Sequence, residues 1–386
     1  MSSGSDAAKP AGYAGRIQAV AKKGCSEMKT VDPARDATGP DGSEAPAART
    51  SATPPGRGLL ASALTPWRKP GSDFTRFLSA YGTIIALVLM IAIFAALQPD
   101  TFATFSNFKN IVNDAAISAI IAAGLTVPLV GGDFDLSIGY VASFCGLLVV
   151  GLLSINQWPI PLAIVSVIGI GAFIGIINGM IVSKIGVNAF IATLGTGTVV
   201  VGLNYAYSGG IPLQLKHAFS FTDISIGRIG GIPHLVIIMA AVLVLLWVLL
   251  NRTVQGQHIK AIGFSAENAR RAGIAVDRSR IVAFAIAGAC AAIAGVLMAS
   301  NLGSGQVAAG DGFMLTSFAA AFLGSAALRE GQFHILGTFI GVMTVAVGNN
   351  GLAMIGAPIF TQYLFSGGLL VVAVALGGIG RRYARS

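Results

Sequence analysis

The chain has 386 residues and a net charge of +9; 54% of its residues are hydrophobic and only 11% are charged. A soluble globular domain carries about 25% charged residues, so an ordinary water-soluble fold is excluded: too few polar side chains exist to cover a surface. The positive charge does not indicate a nucleic-acid partner, because the cations flank hydrophobic segments instead of forming one basic patch.

Residues 1–72 stand apart. They are rich in Ala, Pro, Gly, Ser and Thr and lack apolar periodicity, so they cannot bury enough surface to offset the entropy of ordering. They are expected to form a disordered cytoplasmic tail, dispensable for activity, ahead of a membrane domain at 73–386. No apolar core or cleavage site of a signal peptide opens the chain. The tail holds ten Lys/Arg against six Asp/Glu, and Arg68, Lys69 and Arg76 stand beside the first apolar run.

The remainder divides into about ten apolar segments of the length that crosses a hydrocarbon core: 76–97, 115–131, 136–155, 160–182, 188–207, 232–250, 281–299, 313–328, 335–356 and 360–379. They break at turn-formers or charges, such as Gln98-Pro99-Asp100, Gly131-Gly132-Asp133 and Ser208-Gly209-Gly210. Counting from an inside N-terminus, the inside loops collect Lys184, Arg252, Lys260, Arg270, Arg271, Arg278, Arg280 and Arg329, with Arg381, Arg382 and Arg385 at the end. The outside loops receive only Lys109, Lys216 and Arg228. Such asymmetry is expected when positive loops stay in the cytoplasm, so both termini are expected inside.

Four patterns could carry function. The first is Gly131-Gly132-Asp133-Phe134-Asp135-Leu136-Ser137-Ile138-Gly139, two carboxylates and a serine between apolar runs. A carboxylate in lipid is costly and must face protein, water or a helix terminus. This stretch reads equally as a broken helix lining a path and as an interfacial loop in which Asp133 or Asp135 caps the helix starting near Leu136. The second is the basic loop 251–280, where Ser265 to Ile274 reads as one short helix. Ser265 is its N-cap, Glu267 sits at its positive end, Arg270 and Arg271 at its negative end, and Gly273 is its stop. A two-turn helix is marginal alone, so it is expected to dock on a partner; the plain alternative is a solvated linker. The third is four-residue glycine spacing, at Gly171, Gly175 and Gly179 and at Gly337 and Gly341, read as close helix packing. The fourth is a set of polar residues within or beside the spans, including Asn178, Asn188, Thr193, Thr196, Asn204, Asn349, Asn350 and Gln362. Neutral amides and hydroxyls suit an uncharged, hydroxyl-rich solute, and equally suit interhelical hydrogen bonding.

No GxxxxGK[ST] segment, zinc motif or nucleophile elbow occurs. The chain is therefore expected to be no enzyme and to need no cofactor or metal. Cys25, Cys145 and Cys290 share no ligand spacing.

Gly131 to Gly139 resembles the Gly-Gly-x-Asp-Leu-Ser-x-Gly signature of ribose-, xylose- and galactoside-type permeases of binding-protein-dependent ABC importers. The likeness continues through Asn178-Gly179, Asn188 to Gly195, Ser208 to Pro212, Ala261-Ile262-Gly263, Ala269 to Ile274, Leu302 to Gln306, Gly337-Thr338 and Asn349 to Leu352. It spans residues 76–379 in order. The resemblance implies an all-α ABC importer permease fold in the bacterial inner membrane and inward passage of a monosaccharide such as ribose or xylose. It implies four kinds of partner: a cytoplasmic ATP-binding subunit, a second permease subunit, a periplasmic sugar-binding protein and membrane lipid. Asp135, Ser137, Asn178, Asn188, Thr193, Asn349 and Asn350 are then expected along the substrate path. Gly263, Glu267, Arg270, Arg271 and Gly273 are expected to couple to the ATPase. Three departures stand out: Asp133 replaces the usual aliphatic residue, Arg329 to Phe333 replaces a more glycine-rich turn, and the long N-terminal tail is unusual. Asp135 occupies the position of the family's single acid, so it is expected to be structural and Asp133 to be dispensable. A transporter of another class, driven by H⁺ or Na⁺ through Asp133 and Asp135, is the alternative.

Overall fold

The computed structural model describes residues 71–215, 219–325 and 331–383. The expectations for the tail 1–72 and for Lys216, Arg329 and Glu330 fall outside the described residues or at their edge.

Helices dominate. In chain order they are α1 (Gly71–Leu97), α2 (Phe105–Val130), α3 (Ile138–Ser154), α4 (Ile160–Met180) with a π-helical turn (Ile181–Ile185), α5 (Ala189–Ser208), α6 (Phe219–Ile226), α7 (His234–Arg252), α8 (Val254–Phe264), α9 (Ala266–Arg271), α10 (Val276–Leu302), α11 (Asp311–Ser325), α12 (Ile335–Met354) and α13 (Ile359–Tyr383). Among the described residues the all-α reading is departed from only in two small antiparallel patches. One pairs β1 (Leu213–Gln214) with β4 (Ser304–Gly305), the other β2 (Arg228–Ile229) with β3 (Ile232–Pro233).

Each apolar segment read from the sequence holds a helix. Among the described residues, six stretches are long and apolar enough to cross a membrane: Phe105–Val130, Ile160–Ile185, Ala189–Ser208, His234–Arg252, Val276–Leu302 and Ile335–Met354. Shorter apolar helices cover Tyr81–Leu97, Ile138–Ser154 and Ile359–Ala375. The largest boundary difference is α2, expected to begin at 115 but starting at Phe105. Its first turns carry Lys109, Asn110, Asn113 and Asp114, which hide the helix from a hydropathy reading. Thr104 starts it, its side chain accepting a hydrogen bond from the Asn107 amide.

The helices form two halves with one contact pattern. Near the centre α2 packs on α10; α2 packs on α11 and α12 as α10 packs on α3 and α4. At the flanks α5 leans on α3 as α13 leans on α11. The glycines make the central contacts possible. A Cβ at Gly171, Gly175 or Gly179 would strike Gly288, Phe284 or Ile281 of α10, and one at Gly337 or Gly341 would strike Gly324 or Ala320 of α11. The four-residue glycine spacing is thus a packing device, letting backbones approach where hydrophobic burial cannot drive helices together in lipid.

Candidate functional site

One end of the bundle gathers the loop after α2, the π turn after α4, the start of α5, helices α8 and α9, and the start of α10. Pro128 lies in the last turns of α2. The chain leaves the helix through Gly132, whose amide donates to Leu129 O, while the Asp133 amide donates to Pro128 O, both at 3.0 Å. The loop from Gly131 to Ser137 lies outside the spanning helices.

Within this loop the two carboxylates have different partners. Asp133 Oδ2 lies 3.1 Å from Arg280 Nε on α10, the two side chains 10% and 27% exposed. The Nε–H is not directed at a hydrogen-bond acceptor, so this contact is an ion pair more than an aligned hydrogen bond. Burial raises the Asp133 pKa and the Arg280 charge counters the rise. Asp133, expected to be spare, is therefore engaged.

Asp135 is enclosed. Its Oδ1 accepts from the Ser137 amide at 2.9 Å and from the Ser137 hydroxyl at 2.6 Å. Ser137 Oγ in turn accepts from Asn178 Nδ2 on α4 at 2.8 Å. All three side chains are buried. Burial pushes the Asp135 carboxyl up to about 6, against the two Ser137 hydrogen bonds that lower it. The expected N-cap assignment is corrected here: Ser137 occupies the cap of α3 without a side-chain cap bond, and Asp135 binds the amide of Ser137 just before the helix. A side chain two residues upstream reaches that amide by a local Asx-type turn.

Thr193 on α5 completes the loop's hydrogen bonding: its Oγ1 accepts from the Leu136 amide at 3.0 Å and donates to Ala189 O at 2.8 Å. Asn188 caps α5 by accepting from the Phe190 amide at 2.9 Å. With Gly132, Asp133, Phe134, Ser183 and Arg280 it lines a cleft of about 480 Å³. Five of the seven expected path residues thus meet at one end. Asn349 and Asn350, on α12, do not join them. Asn350 exchanges hydrogen bonds with Asn107 near the start of α2, at 3.0 and 3.2 Å.

Sequence reasoning passed over an aromatic cluster at the same end. Phe134 of the loop stacks on Phe318 and Phe322 of α11, ring centroids 6.3 Å apart in each case, and Phe333 meets Phe322 edge-on at 5.2 Å. Its signal was the four-residue spacing of Phe318 and Phe322, indistinguishable from core spacing without the fold.

The 251–280 region contains two helices where one was expected, since α8 precedes α9. The features read for α9 are present. Ser265 Oγ accepts from the Asn268 amide at 3.2 Å. Gly273 has φ +83°. The Gly273 amide donates to Arg270 O and the Ile274 amide to Ala269 O, both at 3.0 Å, the paired bonds of a Schellman stop. Glu267 and Arg271 pair with each other at 3.1 Å and remain exposed. Arg270 reaches Asp277 at 3.4 Å. Ile262, Ala269 and Val276 form a small core of their own with Ala261, Ala266 and Ile274.

Gly263 joins the two regions. A Cβ there would collide with the Val130 carbonyl at the end of α2, and the Gly263 Cα lies 4.0 Å from where a Cβ on Gly132 would stand. The end of α8 therefore rests directly on the turn that opens the two-carboxylate loop.

Residues 107–374 match the family described as "Branched-chain amino acid transport system / permease component". The ribose import permease protein of Haemophilus influenzae is 34% identical over 302 residues, 78% of this chain and 93% of the relative. The ribose import permease protein of Bacillus subtilis is 35% identical over 304 residues, 78% of this chain and 94% of the relative. The D-allose transport system permease protein of Escherichia coli is 31% identical over 304 residues, 79% of this chain and 93% of the relative. No solved structure matches the chain. The chain belongs to this family of membrane-embedded permease components, as the resemblance implied.

Proposed function

We propose that the protein is the membrane-spanning permease subunit of an ATP-driven importer that passes a monosaccharide, ribose or a close relative, into the cytoplasm. The relatives named for ribose, allose and arabinose support a sugar cargo. In this reading the chain crosses the inner membrane ten times with both termini in the cytoplasm, and the end bearing Asp133 and α9 faces the cytoplasm. A binding protein delivers the sugar from the periplasm. A second permease subunit completes the path, and a separate ATP-binding subunit supplies the energy.

The contact of Gly263 with Val130 and Gly132 carries this reading. A short, exposed, charge-capped helix suited to docking on a partner is linked through α8 to the loop that closes one end of the bundle. Movement of α9 on the ATPase would then be delivered to that loop and to the ring of Phe134. Nucleotide favours one of two arrangements, and so shifts the outward–inward equilibrium. Asp135, Ser137, Asn178 and Thr193 hold the loop in shape, while Phe134 and Asn188 border the cleft. The buried side-chain oxygens of Asn178 and Asn349 have no partner among the described residues, and a sugar hydroxyl or water can satisfy each.

The test is uptake of labelled ribose, xylose and allose into proteoliposomes holding this chain with its ATP-binding subunit and binding protein. Vanadate-sensitive uptake of one pentose or hexose is expected. Uptake without the ATPase that collapses with an uncoupler would replace this reading with an H⁺- or Na⁺-driven one.

A further inference from the structure

The outward stripe of α4 carries Leu162, Val165, Phe173 and Met180, all exposed, at three-, eight- and seven-residue spacings that keep them on one helix face. Such a stripe of exposed apolar side chains is what a spanning helix offers to lipid tails. In the π turn that extends α4, the next position on the stripe is Lys184, exposed and followed by exposed Ile185. A cation ending a lipid-facing stripe stands at the level of the headgroups, where its stem lies along apolar surface and its ammonium reaches water.

Lys184 does not stand there alone. A cleft of about 670 Å³ opens between the π turn and the start of α10, and Arg270, Arg278 and Asp277 share its walls with Ile274, Val276, Ile281 and Val282. Arg270 is 3.4 Å from Asp277. Among the described residues, no carboxylate lies within ion-pair distance of Lys184 or Arg278. Three cations against one carboxylate leave the cleft with a surplus of two positive charges. Its remaining wall is aliphatic. That combination fits an amphiphile with an anionic head better than a soluble ion, which has no use for the aliphatic wall, or an acidic protein face, which would not enter between two membrane helices.

We propose that this cleft binds the phosphate of an anionic phospholipid, with Lys184 and Arg278 as the cations that hold it and Ile281 and Val282 along the start of an acyl chain. Basic pockets between spanning helices bind such headgroups by the same combination of charge and apolar wall. The inference rests on α4 and α10 crossing the membrane, and not on the cargo or the energy source.

Native mass spectrometry and thermal unfolding of the purified full-length chain in detergent test it, with phosphatidylglycerol, phosphatidylcholine or inorganic phosphate added. Retained phosphatidylglycerol adducts and a raised unfolding midpoint are expected with phosphatidylglycerol alone. The double variant Lys184→Gln/Arg278→Gln should weaken that binding on the order of tenfold or more, while Lys184→Arg/Arg278→Lys keeps it. Both positions are exposed, so the neutral variant should fold, which its unfolding midpoint without lipid checks. Equal binding by the neutral variant would overturn the proposal. So would equal protection by phosphatidylcholine, which would make the site a general lipid contact, or by inorganic phosphate, which would make it a soluble-anion site. An effect of the neutral variant seen only when the ATP-binding subunit is present would assign the cations to that partner and overturn it as well.

Discussion

Asp133 and Arg280 tie the loop after α2 to the first turns of α10 at 3.1 Å, with both groups mostly withdrawn from solvent. Arg280 lies in the same stretch of chain as α9, nine residues beyond its end at Arg271. The loop is therefore connected to this region twice, by charge at Asp133 and by backbone contact at Gly263. Removing one partner of a withdrawn pair leaves the other charge uncompensated.

Asp133→Ala and Arg280→Ala should each destabilise the detergent-solubilised protein by about 1–3 kcal/mol, below the cost for a fully buried pair because Arg280 is partly exposed. The double variant should lose less than the sum of the two. Thermal unfolding of all three variants measures the coupling; strict additivity would show that the pair contributes nothing.

The Asp135 carboxyl has a folded pKa of about 6 against an ordinary 3.8. A raised folded pKa means that the native state holds a proton the unfolded chain has released. The associated stability is full below the ordinary value and lost as pH rises through about 6. Asp135→Asn keeps an acceptor for Ser137 and has no proton to lose. Wild type should therefore lose thermal stability relative to Asp135→Asn between pH 4 and pH 6.5, the gap staying constant above about pH 7. Parallel midpoints across this range would show that Asp135 does not titrate there. Asp135→Ala, which orphans the Ser137 amide, should cost about 1–3 kcal/mol at any pH.

Gly273 and Gly263 separate strain from collision. A Cβ on Gly273 meets nothing within 4 Å, so Gly273→Val acts only through its φ of +83°, at about 1–2 kcal/mol. Gly273→Asn should be much milder. Gly263→Val instead drives a side chain into Val130 O and should separate α8 from the loop. In the reconstituted complex, Gly263→Val should leave basal ATP hydrolysis in place and abolish its stimulation by sugar-loaded binding protein. Cysteines placed at Glu267 and in the ATPase groove should crosslink. Normal stimulation in Gly263→Val would show that the contact does not transmit.

Phe134, at 38% exposure, is the most open ring of its cluster. Phe134→Ala should cost less stability than Phe318→Ala, which empties a buried position and is expected to lose about 3–5 kcal/mol. In the proteoliposome assay Phe134→Ala should change the uptake rate at least severalfold while leaving the unfolding midpoint nearly unchanged. Loss of stability without change in transport would place the ring in the core alone.

The sequence by itself determined the membrane class, the positions of the long helices and the design of α9, because these depend on local composition, spacing and capping. Residues three to five apart settle a cap such as Ser265 to Asn268, and a run of about 20 apolar residues settles a span. The glycine spacing at Gly171, Gly175 and Gly179 also announced close packing, though not that α10 was the partner. Tertiary structure decided what depends on distant segments. It paired Asp133 with Arg280, 147 positions along the chain, set Gly263 on Val130, and brought Phe134 to α11. It also sent Asn350 to Asn107, away from Asp135, and matched the two halves of the bundle in contact pattern. None of these has a local signature, because a side chain's partner is chosen by where the backbone carries it, and Asn, Asp and Phe read alike in a sequence whether they close a path or fill a core.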